Sequence, residues 1–316
     1  MKILMFGRGV IATLYGWAFE SAGHSVDFYV RPGRKAQFGP GVGLDIHDLR
    51  RKPKSKQHVI ETWHPNMRED LPVDHDYDLI FVSVQHYQFA GVAEFLSTRA
   101  SNATILIFNN FWEDPQEAAA LLPTEQLAWG FPAAGGGYGS DGILHGAMFP
   151  KVEFGSFGTT LTAREKQARS LFTSAGFQIN EHADFRDWLW VHFARNAGIT
   201  AQALRAGSLQ AVMRETGQTK EMVHKVREVM KVLAARGVEL KGRSEFAPFK
   251  LPAWLAALLF NLAFRFNAAL RASVAGHTNM EEVQRFYKDF MSESDRLGLK
   301  LPRMEAVRQL AGQTSG

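Results

Sequence analysis

The sequence predicts an α/β fold in which a doubly wound parallel sheet forms the first half and an all-α domain forms the second. Up to about residue 180, short apolar runs rich in β-branched and aromatic residues alternate with helical segments, a pattern typical of βαβ units. Beyond that point the segments have helical lengths, and strand signals are few. The 316 residues suffice for two domains of ordinary size, which we place at 1–180 and 181–316.

Five apolar runs in the first half have the length and continuity of buried parallel strands. They are Lys2–Phe6, Ser25–Val30, Leu79–Val84, Thr104–Phe108 and Leu127–Phe131. Near the end of this half, Ile143–Ala147 and Val152–Phe154 are predicted to pair as antiparallel strands, preceded by a flexible glycine loop at residues 135–137. Helices are predicted in the second half at Asp184–Arg205, Lys220–Arg236, Pro252–Ser273 and Met280–Leu297.

Composition restricts the classes of function that are open to the chain. With 46% hydrophobic and 22% charged residues and a net charge of +4, the sequence is globular and does not single out nucleic acid as a partner. The absence of cysteine excludes disulfides and thiolate zinc sites, and no metal spacing is present, so no metal is expected. The apolar run Leu251–Phe264 is shorter than the roughly 20 residues of a membrane span. We predict a buried helix there, no membrane partner and a cytoplasmic protein.

A glycine-rich turn follows the first predicted strand directly. Gly7 would permit a tight turn, Gly9 would let the backbone approach a pyrophosphate, and the small Ala12 would let helix and strand pack closely. Val10 and Ile11 then begin a helix, whose N-terminal N–H groups favour phosphate. Similar turns occur in methyltransferases and in purely structural roles. Directly after a first strand, however, the pattern favours a Rossmann-type dinucleotide site.

The end of the second predicted strand distinguishes between the two nicotinamide dinucleotides. In NAD-binding proteins a carboxylate there bonds the ribose 2′-hydroxyl; Asp27 has suitable spacing, but the strand continues beyond it. Arg31 ends the strand, and an arginine pairs with a 2′-phosphate that a carboxylate would repel. We therefore predict NADP(H) as the cofactor. The alternative is that Arg31 is an ordinary solvated surface cation.

Taken in order, these features resemble the ketopantoate reductase family (2-dehydropantoate 2-reductases). The resemblance is carried by the first 31 residues and by Leu79–Gln88, Leu106–Asn110, Asp187–Asn196 and Gly276–Phe286. It implies an N-terminal Rossmann domain, a helical C-terminal domain, an active site between them and NADPH as the hydride donor. It further implies that Asn109 corresponds to a family asparagine near the cofactor, and Asn196 to an asparagine of the family's catalytic segment.

The sequence departs from the family's pattern at positions that the resemblance assigns to chemistry. His192 stands in place of the family's catalytic lysine, and Gln85 in place of a second lysine near the cofactor. Asn279 replaces a C-terminal glutamate, and Asn267 replaces a substrate-contacting serine. The cofactor half of the pattern is thus retained while the substrate half has changed. We therefore expect a substrate other than ketopantoate.

The replacement of lysine by histidine is chemically reasonable for a reductase. Reducing a ketone requires a proton donor with a pKa near the working pH, and an ordinary histidine titrates near 6.5. His192 is therefore predicted to be the general acid, with a packed structural histidine as the alternative. Asn109 and Asn196 are predicted to orient the carbonyl or the nicotinamide amide, with capping or helix–helix bonding as the alternative. Asn279 would hydrogen-bond a polar substrate.

These inferences together predict an NADPH-dependent reductase of a 2-keto acid or a related carbonyl compound, with a small molecule as its partner, no nucleic acid, and a homodimer as a further expectation. Two alternatives remain open. One is a module that senses NADP(H) and has lost catalysis, because both lysine positions and the glutamate position have changed. The other is an opine-type dehydrogenase, which would use the same architecture on an amino-acid conjugate.

Overall fold

The computed structural model describes residues 1–275 and 280–311. The chain divides into two compact units, unit 1 at Met1–Arg186 and unit 2 at Asp187–Gly316. The strands of unit 1 are β1 (Lys2–Phe6), β2 (Ser25–Tyr29), β3 (Val42–Asp48), β4 (His58–Trp63), β5 (Asn66–Arg68), β6 (Leu79–Val82), β7 (Thr104–Ile107), β8 (Leu127–Phe131), β9 (Ala134–Tyr138), β10 (Leu144–Met148), β11 (Lys151–Gly155) and β12 (Gln178–His182). Its helices are α1 (Val10–Ser21), α2 (Arg34–Phe38), α3 (Phe89–Ser97), α4 (Pro115–Ala118) and α5 (Ala163–Ser174).

The larger sheet of unit 1 has eight strands in the order β12-β11-β8-β7-β6-β1-β2-β5. Pairing is parallel from β8 to β5, and only the junction of β11 with β8 is antiparallel. Strands β6 and β7 are buried along their whole length, as expected where both faces of a parallel sheet are covered. The fold class predicted from the sequence is confirmed. The carboxyl ends of β1, β6 and β7 meet at one edge, where such sheets bind ligands.

A second, four-stranded sheet in the order β4-β3-β10-β9 was not predicted. The predicted pairing of Ile143–Ala147 with Val152–Phe154 is wrong, because β10 pairs with β3 and β9 while β11 belongs to the larger sheet. The predicted loop at residues 135–137 is also wrong, because it forms part of β9. A Cβ atom on Gly136 would lie 2.3 Å from the His145 carbonyl oxygen. The glycines therefore allow a close strand pairing rather than a loop.

Helix α1 packs closely on the larger sheet. A Cβ atom on Gly16 would lie 2.5 Å from Cζ of Phe28 on β2, so a side chain at this position would push the helix away from the sheet. Ala12, to which the sequence assigned this close packing, is fully buried as well. Tyr15 of α1 continues the contact by packing on Phe81 of β6, with ring centroids 5.7 Å apart. The core thus holds α1, and with it the glycine turn, in a fixed position at the carboxyl end of β1.

Unit 1 ends a few residues later than the predicted boundary. The backbone N–H of Phe185 donates to the Ser156 carbonyl oxygen at 3.1 Å. The ring of Phe185 covers Gly155, where a Cβ atom would lie 2.3 Å from the ring. The start of the next helix is therefore packed on β11.

Within residues 187–275 and 280–311 the regular structure of unit 2 is helical. The helices, of which the first begins in unit 1, are α6 (Phe185–Ala206), α7 (Leu209–Arg214), α8 (Thr216–Ala235), α9 (Ala247–Lys250), α10 (Ala253–Phe266), α11 (Ala268–Ala275), α12 (Met280–Arg296), α13 (Pro302–Glu305) and α14 (Arg308–Ala311). The single helix predicted at Pro252–Ser273 is two helices. The chain breaks at Asn267, whose Oδ1 accepts from the N–H of Leu270 at 3.0 Å and caps α11.

The prediction of a buried helix at Leu251–Phe264 is only half correct. Ala256, Ala257 and Phe264 of α10 are buried, but Trp254 is 61% exposed on the opposite face. Among the described residues, no single helix is long and apolar enough to cross a bilayer. Only the segments Ser244–Lys250 and Ala253–Phe266 reach that length and composition together, and they are bent by 115°.

Candidate active site

The glycine turn after β1 has the geometry that a phosphate loop requires. Gly7 has a φ of +89°, a region that strongly favours glycine. Gly9 precedes α1 in an extended conformation, and the first N–H bonded within the helix is that of Thr13, which donates to the Gly9 carbonyl at 2.9 Å. The N–H groups of Val10 and Ile11, like that of Ala12, come before it and have no partner within the helix. They therefore point from the helix N-terminus toward a potential anion.

The space in front of this turn is open. Apart from the adjacent residues in the chain, no described residue has an atom within 4 Å of a Cβ atom built on Gly7 or on Gly9. No side chain caps α1, and its first turn contains no acidic residue. The partial positive charge at the helix N-terminus is therefore available to a phosphate group. These features fit the dinucleotide site that the sequence predicted.

Arg8, between the two glycines, was missed by the sequence reasoning. Its Nε is buried and has no hydrogen-bond partner among the described residues. Its guanidinium carbon lies 4.8 Å from the ring centroid of Phe38 and 5.9 Å from that of Tyr138. A buried guanidinium nitrogen without an acceptor is costly, so a phosphate oxygen is a suitable partner. The signal was present in the sequence, because a cation separates the glycines.

The two residues considered for cofactor selection, Asp27 on β2 and Arg31 just beyond it, have different environments. The carboxylate of Asp27 is buried and accepts hydrogen bonds from Asn66 Nδ2 at 2.6 Å and from the Tyr77 hydroxyl at 2.5 Å. Asp27 is thus occupied within the sheet. Arg31 is exposed just beyond the strand, and its side chain forms no hydrogen bond or ion pair with any residue that the structure describes. Arg31 is therefore the group available to a ligand at this strand end.

The loops after β6 and β7 bring three further polar residues to the same edge. Asn109 is 2% exposed, and its amide donates to the Val84 carbonyl at 2.8 Å and accepts from the Val84 N–H at 3.3 Å. Gln85 follows Val84 and starts a short 3₁₀ turn. The neighbouring Asn110 has a buried Oδ1 with no partner among the described residues. Asn109 thus joins the two strand ends, and Asn110, which the sequence reasoning did not select, offers an acceptor.

His192 lies on α6 within a short run of polar and aromatic side chains. Its ring stacks on Trp188, with centroids 5.2 Å apart and an interplanar angle of 22°. Its Nδ1 lies 3.1 Å from Arg195 Nη2, and its Nε2 lies 2.9 Å from the Asn196 amide. These spacings of three and four residues place all four side chains on one helix face. His192 and Asn196 are therefore brought together on α6.

The contact with Arg195 determines which nitrogen of His192 carries the proton. A guanidinium can only donate, so Nδ1 must accept, and the neutral ring carries its proton on Nε2. Because Nε2–H is then a donor, the Asn196 amide must present its oxygen, which a rotation about χ2 allows. Nε2–H is thus a defined hydrogen-bond donor.

The pKa of His192 is lowered well below the usual 6.5, first by burial and second by the positive charge of Arg195. The expectation of an ordinary histidine titrating near neutral pH is therefore wrong. His192 is a neutral imidazole at neutral pH. It can donate a hydrogen bond from Nε2, but it is not present as an imidazolium that could transfer a proton.

Asn279, the last of the predicted site residues, lies outside the described residues. Among residues 1–275 and 280–311, no group of three or more histidine, aspartate or glutamate side chains is placed to hold a metal ion. The glycine turn, Gln85 and Asn109 lie at one edge of the unit 1 sheet, and His192 with Asn196 forms a separate cluster in unit 2. Their assigned roles in binding and catalysis remain predictions.

The N-terminal domain identifies the family. Residues 3–159 match the sequence model of the family described as ketopantoate reductase PanE/ApbA. The domain formed by these residues therefore belongs to the ketopantoate reductase family. No curated protein matches the chain in sequence. The phosphate turn, the ends of β6 and β7 and the second sheet all lie within the part that matches the family.

Solved structures show that the ketopantoate reductase fold covers the whole chain. A 2-dehydropantoate 2-reductase from Geobacter metallireducens aligns with a TM-score of 0.71 at 16% identity, covering 99% of both chains. A PanE/ApbA family ketopantoate reductase from Ralstonia eutropha aligns with a TM-score of 0.69 at 18% identity, covering 99% of this chain and 97% of the other. A D-mandelate dehydrogenase with NADH and anilino(oxo)acetate aligns with a TM-score of 0.72 at 13% identity, with the same coverage. At these identities the likeness establishes the fold.

Proposed function

We propose that this protein is an NADPH-dependent reductase of a 2-keto acid, or of a related carbonyl compound, that is not ketopantoate. The observation that carries the proposal is the end of β2. Asp27 is engaged by Asn66 and Tyr77 inside the sheet, whereas Arg31 is exposed and available to a 2′-phosphate. A D-mandelate dehydrogenase of the same fold, solved with NADH and anilino(oxo)acetate, supports the wider substrate class.

In this proposal, unit 1 binds the dinucleotide. The N–H groups at the start of α1 hold the pyrophosphate, and Arg8 adds a positive charge and satisfies its buried Nε. Asn110 Oδ1 accepts from an N–H donor such as the nicotinamide carboxamide, while Asn109 keeps the ends of β6 and β7 together through Val84. Bound NADPH would supply the hydride. The chain itself must supply stabilisation for the oxygen of the reduced carbonyl.

His192 provides that stabilisation as a neutral hydrogen-bond donor. Its Nε2–H polarises the substrate carbonyl and stabilises the developing alkoxide, a role that suits an imidazole whose pKa is lowered. Asn196 holds Nε2–H in the free protein at 2.9 Å, and a substrate oxygen would replace or share this contact. The Arg195 cation, held at Nδ1, makes the Nε2–H more acidic and therefore a better donor. The final proton comes from water.

Replacing Arg31 tests the choice of cofactor. We expect wild-type protein to bind NADPH at least about tenfold more tightly than NADH, and Arg31→Ala to lose roughly 1–3 kcal/mol of that preference, the range for a hydrogen bond to a charged group. Fluorescence titration with both dinucleotides measures it. Arg34→Ala, an exposed arginine on α2, is the matched control. Equal affinity of the wild type for both cofactors would overturn the assignment, and loss of preference in the control alone would transfer the role to Arg34.

Ketopantoate itself is expected to be a poor substrate. Gln85, His192 and Asn279 replace two lysines and a glutamate that the family resemblance assigns to the reaction, so charges that would meet ketopantoate have been lost. Steady-state assays with NADPH should give a kcat/KM well below about 10⁴ M⁻¹s⁻¹, the lower end of efficient enzymes. An aryl 2-keto acid assayed in parallel serves as the comparison. Efficient turnover of ketopantoate would contradict this part of the proposal.

A further inference from the structure

Helix α10 exposes a continuous apolar face. The exposed fractions of its large side chains are 61% for Trp254, 43% for Leu258, 48% for Leu259, 41% for Leu262 and 76% for Phe266. Four of them, spaced by four residues, follow one side of the helix; we call Trp254, Leu258, Leu262 and Phe266 the apolar stripe. Single exposed apolar residues are normal, but a contiguous row indicates an interaction surface.

The exposure does not result from a loosely attached helix. On the opposite face Ala256 and Ala257 are buried, and Asn261 Nδ2 donates to the Met213 carbonyl at 2.6 Å and to Thr219 Oγ1 at 2.9 Å. Arg227 Nε on α8 donates at 2.8 Å to the carbonyl of Phe249, which lies just before α10. The helix is therefore fixed in its rotation, and the fold of unit 2 presents the stripe outward.

The exposed apolar area of α10 is large enough to form most of one side of a dimer interface. Large apolar side chains offer about 150–250 Å² each, so the exposed parts of these five leave roughly 500 Å² of apolar surface. A stable dimer buries about 800 Å² per partner. The patch thus supplies most of one side of such an interface, and the exposed Pro252 and Ala263 at its margins add to it.

The order of residues along the stripe is the same in both directions. An aromatic residue stands at each end and two leucines stand between, so the sequence aromatic-leucine-leucine-aromatic is centred on residue 260. We propose that α10 is the core of a twofold interface with a second copy of this chain, in which the two helices pair antiparallel. Trp254 of one copy then meets Phe266 of the other, and Leu258 meets Leu262. Self-complementarity of this kind is what a twofold interface requires.

Charge favours the same arrangement. Arg265 is the only charged residue of α10, and its guanidinium lies 5.5 Å from the ring centroid of Phe266. In antiparallel pairing the two copies of Arg265 are separated by ten residues along the axis, about 15 Å, which exceeds the Debye length of about 8 Å. Parallel pairing would place them face to face. A helix that binds a membrane surface usually carries several cations on its polar face, but the opposite face of α10 is packed against protein.

Analytical ultracentrifugation of the full chain tests the interface. We expect wild-type protein at micromolar concentration to sediment with twice the chain mass of 35.3 kDa. Leu258→Glu and Leu262→Lys should each raise the dimer dissociation constant at least about tenfold, while a far-UV circular dichroism spectrum like that of the wild type shows that each variant is folded. Leu121→Glu is the control, since Leu121 is 63% exposed in unit 1. A monomeric wild type, or variants that dimerise like it, would overturn the proposal.

A mixture of the two variants tests the antiparallel register. In a heterodimer of the Leu258→Glu chain with the Leu262→Lys chain, one leucine pair is replaced by an opposite-charge pair and the other remains intact. The heterodimer should therefore be more stable than either variant homodimer, and native mass spectrometry of the mixture would show it in excess. A statistical mixture would refute the register. If wild-type protein is monomeric and instead binds vesicles of anionic phospholipid, and Leu258→Glu abolishes that binding, the surface is a membrane contact and not a dimer interface.

Discussion

Replacing Gly9 by aspartate is expected to abolish NADPH binding and at the same time to make the protein slightly more stable. Apart from the two chain neighbours of Gly9, no described residue has an atom within 4 Å of a Cβ atom at this position, so the folded chain accommodates the side chain. An aspartate before α1 can accept from the helix N–H groups that now lack a partner. The same carboxylate occupies the position of the pyrophosphate and repels its negative charge.

The two effects have different magnitudes and opposite signs. We expect the dissociation constant for NADPH to rise at least about 100-fold, since charge-assisted hydrogen bonds worth roughly 1.5–3 kcal/mol each are lost. The free energy of unfolding should rise by about 0.3–1 kcal/mol through the cap and the helix dipole. Fluorescence titration and urea denaturation measure the two quantities. Unchanged NADPH affinity would remove the glycine turn from the site.

Gly217→Asp is the matched control for this experiment. Gly217 is exposed in the first turn of α8, in the other unit, and a Cβ atom there approaches only Glu215 Oε1, at 3.5 Å. The substitution introduces the same charge at a helix N-terminus. It should leave NADPH binding unchanged. Equal losses in both variants would indicate a general effect of net charge, not a phosphate site.

Five strands of the larger sheet (β1, β2, β6, β7 and β8) could be predicted from sequence because their signals are local, whereas β5 and β12 were not predicted. Continuous apolar runs such as Lys2–Phe6 and Leu79–Val82 specify buried strands whatever their neighbours are. In the second sheet only β10 gave such a signal. Strand β9 contains three successive glycines, and its place is set by the close approach of the His145 backbone to Gly136. Glycine was read as a loop former because its role here depends on a partner strand that is not visible in the sequence.

The candidate site shows the same division between local and non-local information. The glycine turn follows β1 and Arg31 lies just beyond β2, so each is defined by its position relative to a single strand, and their roles in binding stay predictions. The availability of Arg31 in place of Asp27 depends on Asn66 and Tyr77, which are distant in sequence. The lowered pKa of His192 depends on burial and on the rotamer of Arg195. Residue type and spacing alone could not reveal either.

His192→Ala is expected to lower turnover about 10²–10⁴-fold on whichever 2-keto acid proves to be a substrate, a range typical of a lost donor to a developing charge. NADPH affinity should be unchanged, because the residues proposed to bind its phosphates belong to unit 1. Titration of NADPH before each assay counts the binding-competent protein, and a melting curve shows whether the variant is folded. If the rate loss merely follows the unfolded fraction, His192 is a structural residue.

The pH dependence separates a neutral donor from an imidazolium. The folded pKa of His192 lies well below 6.5, so the neutral ring is fully populated above that value and is lost only as the pH falls through the folded pKa. Turnover should therefore show no decline assignable to His192 between about pH 6.5 and 8, and an acid limb should appear below.

Arg195→Gln removes the positive charge beside Nδ1, which should move this limb to higher pH while burial still holds it below the ordinary value. A rate that instead declines as the pH rises through 6.5, and whose decline disappears in His192→Ala, would show that imidazolium donates the proton. Tight NADPH binding with no turnover of any 2-keto acid would favour the sensor over the reductase, because binding by unit 1 does not depend on His192.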